Sequence, residues 1–118
     1  MTLTPLDIAY GQNNDRIGTE MVYESDDMRV WHLHLSPGET IPPHRHDRPY
    51  FWTVLTDGKG RSRYDDGRDI TTTYKAGDTK HFPGLTTKSS FVHDLTNTGD
   101  TSLIFVTVEF TAHPGDIR

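Results

Sequence analysis

The stretch GETIPPHRH, residues 38–46, is the segment of the chain that says most about its fold. In a β-strand, side chains two residues apart point to the same face, so His44 and His46 can reach one point from one side. Two imidazoles in that arrangement can chelate a metal ion. Pro42 and Pro43 would stiffen the approach to the pair. The stretch therefore predicts an extended segment that carries two candidate metal ligands.

On both sides of this stretch, short β-prone runs alternate with turn signals. Asp57-Gly58 and Asp66-Gly67 are dipeptides that tight hairpins prefer, because both allow a positive φ. Closely spaced short strands predict an all-β sandwich or barrel rather than parallel βαβ units, and no segment predicts a helix. The predicted strands cover residues 20–24, 28–35, 50–56, 60–64, 70–74, 78–82, 89–95 and 101–111.

The composition agrees with strands and with a single domain. The 118 residues include 17 Thr but only 3 Ala and 4 Glu, and Thr favours strands whereas Ala and Glu favour helices. A chain of this length is near the commonest size of one domain. We expect an irregular N-terminal arm over residues 1–18, a barrel over residues 19–112 and a tail over residues 113–118.

Charge and residue counts exclude several classes of function. The net charge of −5 and the scattered cations argue against nucleic acid as a partner. The longest apolar run, residues 103–106, is far too short to cross a bilayer, and no secretory signal is visible, so we expect no membrane partner and a cytoplasmic location. The chain has 7 His and no Cys, so any metal site must use imidazole and oxygen ligands.

A second His-x-His pair, His32 and His34, is expected to play a different part. It alternates with Trp31, Leu33 and Leu35. The apolar face of that strand should be the core, which directs both histidines to solvent or to a subunit contact. The first pair has no such set of apolar neighbours.

The spacing of Gly38, His44 and His46 resembles the first signature of the cupin superfamily. A segment further along the chain resembles the second cupin signature, and the two signatures occur in the expected order. Its matching positions are Gly77, Pro83, His93 and Asn97. Together the two signatures cover roughly residues 28–112, and the resemblance implies a cupin-type double-stranded β-helix, also called a jelly-roll barrel.

The sequence departs from the cupin pattern at three places. The glutamate of the first signature, which cupins use as a metal ligand or base, is replaced by Tyr50 or Phe51, depending on the spacing counted. Gly84 directly follows the proline of the second signature, where the pattern has one residue between them. His93 lies five residues beyond its expected position, which indicates a longer loop over residues 84–90.

The resemblance implies a metal site made of His44, His46 and His93. Three neutral imidazoles suit Fe, Zn, Ni or Cu as a divalent ion, and Mn less well. We therefore expect a metal-dependent enzyme that acts on a small organic acid or dicarbonyl compound, either dioxygenase-like or isomerase- or lyase-like. The alternative is a non-catalytic cupin module that binds a metal or a small molecule. The string at residues 50–55 is similar to small single-domain cupins labelled β-alanine degradation proteins.

Tyr50 and His81 are the candidate catalytic residues. Tyr50 could hydrogen-bond a substrate or act as an acid, or it could be an aromatic wall of the barrel. His81 could be a fourth ligand, a proton shuttle or a supporting hydrogen-bonding group, or play no direct part. Asp94 and Glu109 are expected to be exposed or capping groups. Arg45 is expected to be a structural group that points to the opposite face. Arg63 and Lys88 could each hold a substrate carboxylate or be solvated surface charges.

The last predicted strand indicates that the protein forms a homodimer. Residues 103–108 are apolar on both faces over the first half of this strand. An apolar outer face is usually covered, so we expect a homodimer formed by strand exchange or sheet packing. His113 lies in the predicted tail and is expected to take no part in the site.

Overall fold

Nine β-strands and one short α-helix make up residues 2–111, the part of the chain that the computed structural model describes. The all-β prediction is confirmed, and most predicted strands agree with the observed ones within a few residues. The helix is α1 (Pro5–Gln12), and a short 3-10 turn spans Thr87–Ser89. The strands are β1 (Glu20–Glu24), β2 (Met28–Leu35), β3 (Thr40–His46), β4 (Tyr50–Val54), β5 (Gly58–Arg63), β6 (Asp69–Tyr74), β7 (Thr79–Phe82), β8 (Phe91–Asn97) and β9 (Leu103–Phe110).

The strands form two antiparallel sheets. The five-stranded sheet has the order β1-β2-β9-β4-β7, and the four-stranded sheet has the order β3-β8-β5-β6. Side chains from one face of each sheet pack together and form the core, as the alternation of buried and exposed positions requires. The buried apolar cluster consists of Leu33, Leu35, Ile41, Val54, Tyr74, Leu95, Leu103 and Phe105.

The prediction that the chain has no helix is wrong. Thr4 begins α1 with a capping box: its Oγ1 accepts from the amide of Asp7 at 3.1 Å, and its own amide donates to the Asp7 carboxylate at 2.9 Å. Gly11 then presses against β8, because a Cβ placed there would lie 2.3 Å from Val92 Cγ1. The segment predicted as an irregular arm thus includes a helix that covers the outer face of the smaller sheet.

The two predicted hairpin dipeptides have different outcomes. Asp66-Gly67 does join β5 to β6, and Gly67 takes the positive φ of 91° that this turn requires. The prediction of a tight hairpin at Asp57-Gly58 is wrong, because β4 pairs with β7 and β9 whereas β5 pairs in the other sheet. Asp57 instead accepts the amide of Ala76 at 2.8 Å.

Asn97 ties the end of β8 to two other segments. Its side chain is buried, and its Nδ2 donates to the carbonyls of Leu35 at 2.9 Å and Thr101 at 2.8 Å. Its Oδ1 accepts the amide of Gly99 at 3.0 Å. All its principal hydrogen-bonding atoms are used, which makes it a structural residue.

The prediction that Asp94 and Glu109 are exposed or capping is wrong, since both are buried. Asp94 accepts two side-chain hydrogen bonds from Arg63, at 2.9 and 2.6 Å, and one from the Arg63 amide at 2.9 Å. Glu109 lies against Trp31, whose Nε1 is 3.4 Å from Oε1, and burial raises the pKa of its carboxyl. Sequence patterns do not reveal such pairs, because the partners are far apart along the chain.

The outer face of the larger sheet carries half-buried apolar side chains of β9, among them Ile104, Val106 and Val108. The homodimer expected from this pattern stays a prediction. No helix within residues 2–111 is long and apolar enough to span a membrane, and the cytoplasmic location also stays a prediction. The predicted tail, with His113, lies outside the described residues.

Candidate metal centre

A β-bulge in β3 brings the first histidine of the pair into the barrel. Ile41 pairs with Leu95 and His44 pairs with His93, so β3 uses one more residue than β8 over this interval. The extra residue lies at Pro42-Pro43, where proline has no amide hydrogen for the ladder. Because of the bulge, Ile41 and His44 are both buried on the inner face, although an odd spacing would normally separate them.

The structure brings His44, His46 and His93 together between the two sheets. The ring centroids of His44 lie 5.0 Å from His46 and 4.7 Å from His93, and the remaining pair is 5.0 Å apart. One nitrogen from each ring can be chosen so that all three lie within 4.8 Å of one another. Such a triangle of donors could hold one metal ion.

Hydrogen bonding leaves ring nitrogens available for an ion. His44 Nδ1 lies 2.8 Å from the carbonyl oxygen of Pro42, which can only accept, so Nδ1 carries the proton and Nε2 keeps its lone pair. Nδ1 of His93 is buried and has no hydrogen-bond partner among the described residues. A buried nitrogen without a partner is costly, and a bound ion would satisfy it, so the donor set fits a metal.

Burial keeps the three imidazoles neutral. It lowers the pKa of His44 to about 4, although the Pro42 carbonyl and Asp94 act in the opposite direction. Burial also holds the pKa of His46 and the pKa of His93 well below the usual value, and the positive charge of the neighbouring histidines, if protonated, would lower both further. The neutral ring is the form that coordinates a metal.

Of the two residues that can take the place of the cupin glutamate, Tyr50 and Phe51, Tyr50 is the one that faces the cluster. It is buried, and its ring stacks on His46 at 4.2 Å and on Phe82 at 4.6 Å between centroids. Burial, with a smaller contribution from Tyr64, raises the pKa of the Tyr50 phenol far above its usual range. The phenol is therefore protonated, so it can donate a hydrogen bond but is a poor acid.

The cluster opens into a cavity of about 260 Å³ between the sheets. Its wall includes the three histidines and Tyr50, and its other residues are aromatic, aliphatic, hydroxylated or cationic. They are Ile17, Leu33, Trp52, Ser62, Tyr64, Arg68, Ile70, Thr72, Tyr74, Lys80, Phe82, Leu95, Phe105 and Thr107. A cavity of this size suits a small molecule.

His81 is not brought to the cluster. It lies opposite Phe51 in the β4–β7 ladder, one position from the Tyr50–Phe82 pair that faces inward. Alternation therefore puts it on the outer face, where it is exposed and lies edge-on to the Phe51 ring at 6.3 Å. Its proximity to Pro83 in the sequence was no guide to the face that it occupies.

The cations considered from the sequence lie outside the cavity wall. Arg45 points outward and pairs with Asp47 at 3.2 Å, and Arg63 is held by Asp94. Lys88 lies in the 3-10 turn. The cations that do line the cavity, Arg68 and Lys80, were missed, because only the folded sheets place them near the histidines.

Two facing antiparallel sheets, with three histidines clustered in the cavity between them, define a jelly-roll β-barrel with a candidate metal site. The profile of the family described as "Cupin domain" matches residues 31–109, about two-thirds of the chain. The chain belongs to the cupin family.

Solved structures agree with this assignment. A cupin domain from Bordetella pertussis superposes with a TM-score of 0.66 at 22% identity, over 86% of this chain and 100% of that one. An uncharacterised protein with a double-stranded β-helix domain from Klebsiella pneumoniae superposes with a TM-score of 0.59 at 29% identity, over 88% and 86% of the two chains. The double-stranded β-helix prediction is confirmed.

A third structure, described as a predicted oxalate decarboxylase from Thermotoga maritima, has a TM-score of 0.52 and 26% identity, over 72% of this chain and 67% of that one. No curated protein matches the sequence significantly. The similarity to cupins labelled β-alanine degradation proteins therefore remains a resemblance in the residues alone.

Proposed function

We propose that this cupin binds a divalent transition metal ion through His44, His46 and His93 and acts as a metal-dependent enzyme on a small organic acid or dicarbonyl compound. The observation that carries the proposal is the set of three neutral imidazoles, two buried and one half-buried, on the wall of a cavity of small-molecule size. Fe, Zn, Ni and Cu suit an all-nitrogen donor set better than Mn does.

The donor set determines which ligand the ion would favour. Three neutral imidazoles leave the ion with its full positive charge, so an anionic, bidentate oxygen ligand such as a carboxylate or enolate is favoured. When bound, the ion would act as a Lewis acid, or support oxygen chemistry if it is redox-active. This agrees with the Thermotoga maritima structure described as a predicted oxalate decarboxylase, since oxalate is a small dicarboxylic acid.

The residues of the chain supply orientation and a dry environment. The Pro42 carbonyl fixes the tautomer of His44, and the bulge aims its ring inward. The protonated Tyr50 phenol can donate to an oxygen of the bound substrate. Tyr50 and Phe91 each stack on His46, and Phe82 stacks on Tyr50, so aromatic rings cover one side of the cluster and limit access of water from that side.

The alternative function is a non-catalytic module that binds a metal or a small molecule. It is favoured by the replacement of the signature glutamate by Tyr50, whose phenol burial keeps protonated. A site without that carboxylate lacks the group that cupins with the complete signature use as a metal ligand or base. The fold and the placement of the histidines do not by themselves separate the enzyme from the binding module, since one fold hosts many activities.

The experiment that separates them starts from metal content. The protein is purified without chelator, its metals are measured, and it is then reconstituted with Fe(II), Zn(II), Ni(II) or Cu(II). Oxygen uptake with the Fe(II) form, and product formation with the other forms, are followed with keto acids, hydroxy acids and β-dicarbonyl compounds. Turnover that depends on metal and is lost in His44→Ala supports the enzyme, whereas tight metal binding without turnover supports the binding module.

The subgroup resemblance guides the choice of first substrates. We propose that three-carbon acids related to β-alanine be tested first, because residues 50–55 resemble the cupins labelled β-alanine degradation proteins. Turnover limited to larger or uncharged compounds would contradict this choice without affecting the metal site.

A further inference from the structure

The cavity has a charge opposite to that of the protein as a whole. The chain carries 17 acidic and 12 basic residues other than histidine, a net charge of −5. Among the described residues that line the cavity there is no carboxylate, but there are two cations, Arg68 and Lys80, beside the three imidazoles. A concave wall that carries cations and no carboxylate favours anionic ligands, although Asp66, which is not part of this wall, pairs with Arg68.

Arg68 lies one aromatic ring away from the histidines. It follows the β5–β6 turn, and its guanidinium carbon is 4.2 Å from the centroid of the Tyr64 ring, which in turn lies 5.0 Å from the His93 ring. Asp66 accepts from its Nε at 2.7 Å and so orients the group. A guanidinium has five N–H donors, and this bond uses one of them.

Lys80 approaches the same cavity from the other sheet. It pairs with Trp52 in the β4–β7 ladder, so both side chains face inward, in contrast to His81 next to it. Its Nζ lies 5.2 Å from the centroid of Phe82, the ring that stacks on Tyr50. The lysine is exposed at the mouth, where a flexible ammonium can close on an anion.

We propose that Arg68 and Lys80 form an anion-binding mouth that selects small dicarboxylates: one carboxylate binds at the histidine-held metal, and the other binds between the two cations. This inference rests on the proposed function, because the first carboxylate needs the metal. The rings of Tyr64 and Phe82, which separate the cations from the histidines, contact the short carbon chain between the carboxylates. A monocarboxylate of the same length lacks the second contact.

The test compares matched acids on the zinc-loaded protein by isothermal titration calorimetry. Zinc is redox-inert, so oxygen chemistry does not contribute to the heat, and each acid is assayed for product after the titration so that turnover is recognised. Malonate, succinate and glutarate are titrated against propionate, butyrate and valerate, which have the same numbers of carbon atoms. We expect at least one dicarboxylate to bind about tenfold more tightly than its partner, with a preference that falls as salt is added, because partly exposed charges are screened.

Two variants and two controls locate the contact. Arg68→Gln and Lys80→Gln should each weaken the dicarboxylate about fivefold and leave the monocarboxylate and the zinc content unchanged. Arg45→Gln and Lys88→Gln remove the same charges from positions outside the cavity wall and should change neither affinity.

The possible failures are distinguishable. Normal zinc content with equal affinities for every matched pair, or equal effects of the cavity variants and the controls, contradicts the anion-binding mouth alone. Failure of the unaltered protein to bind zinc, or any other metal, contradicts the proposed function first. Folding of each variant is checked by circular dichroism, so that a misfolded protein is not mistaken for a lost contact.

Discussion

Two His-x-His pairs with the same spacing have opposite environments in this protein. His32 and His34 are exposed on the outer face of the larger sheet, as the sequence predicts, whereas His44 and His46 are 2% and 4% exposed inside the barrel. The spacing alone puts two imidazoles on one face of a strand, but it does not say which face.

The neighbours of each pair decide the difference. In β2, Trp31, Leu33 and Leu35 take the inner face and leave the outer one to the histidines. In β3, the bulge at Pro42-Pro43 lets Ile41 and His44 share the inner face. A His-x-His motif therefore indicates metal binding only when the neighbouring apolar residues leave the inner face of the strand to the histidines.

Removing one histidine of the inner cluster should weaken metal binding most. His93→Ala or His44→Ala should weaken binding of Zn(II) more than about a hundredfold, since even residues that only support a ligand cost up to that much. The double variant His32→Gln, His34→Gln should bind normally. Metal content and calorimetric titration measure both, and the assignment is reversed if the double variant loses the metal while the alanine variants keep it.

In the metal-free protein, the buried His44 should make stability depend on pH. The pKa of His44 is lowered from 6.5 to about 4 in the folded state, so between these values the unfolded chain binds more protons. The free energy of unfolding therefore has its full value above about pH 6.5. As the pH falls from 6.5 to about 4, protonation of His44 in the unfolded chain lowers it by roughly 3 kcal/mol. Urea unfolding across this range measures it.

One variant identifies the group responsible for this pH dependence. His44→Gln should make the stability less dependent on pH, because it removes a group that protonates only on unfolding. An identical slope in the variant and the unaltered protein would mean that other groups control the acid transition.

Two Arg–Asp pairs on β5 extend the comparison from imidazoles to ion pairs. Asp94, paired with Arg63, is fully buried behind the histidine cluster, whereas Asp69, paired with Arg61, is partly exposed. Asp94→Asn should lower the free energy of unfolding by about 2 kcal/mol, because Arg63 keeps a partly buried charge without its counter-ion. Asp69→Asn should cost less, because solvent screens the Arg61–Asp69 pair. Equal losses in urea unfolding would show that burial is not the cause.

The smallest effect on metal binding is expected at Tyr50. Tyr50→Phe keeps the ring that stacks on His46 and removes only the hydroxyl, so the affinity for zinc should change less than about twofold. If the phenol donates to the substrate, kcat/KM should nevertheless fall by about tenfold. Unchanged kinetics would make Tyr50 a wall residue, the other interpretation of its position.

The sequence predicts those features that alternate over a few residues. The strands, the outward direction of the His32 pair and the cluster of His44, His46 and His93 all follow from periodicity and from the two signatures. The bulge in β3 was not predicted, although the two prolines are its local signal. The helix was missed because its evidence is a capping box, Thr4 with Asp7, rather than an apolar face.

Long-range contacts account for the other misses. Asp94 is buried because Arg63 and the helix cover it, and neither is close to it in the sequence. Lys80 and His81 are adjacent in β7, but the pairing with β4 decides that the lysine faces the cavity and the histidine does not. To predict which face of the sheet a side chain occupies, the pairing partners of its strand must be known as well as the residues of the strand.

The hydrogen bonds of Asn97 have a consequence for the donor set four residues away. By fixing the end of β8 to the carbonyls of Leu35 and Thr101, this amide sets which side chain of β8 stands opposite His44. A slip by one residue would turn His93 toward the helix and bring Asp94 into its place, exchanging a neutral donor for an anionic one. The third imidazole of the cluster thus depends on an amide that fixes the end of the strand and takes no part in the cluster itself.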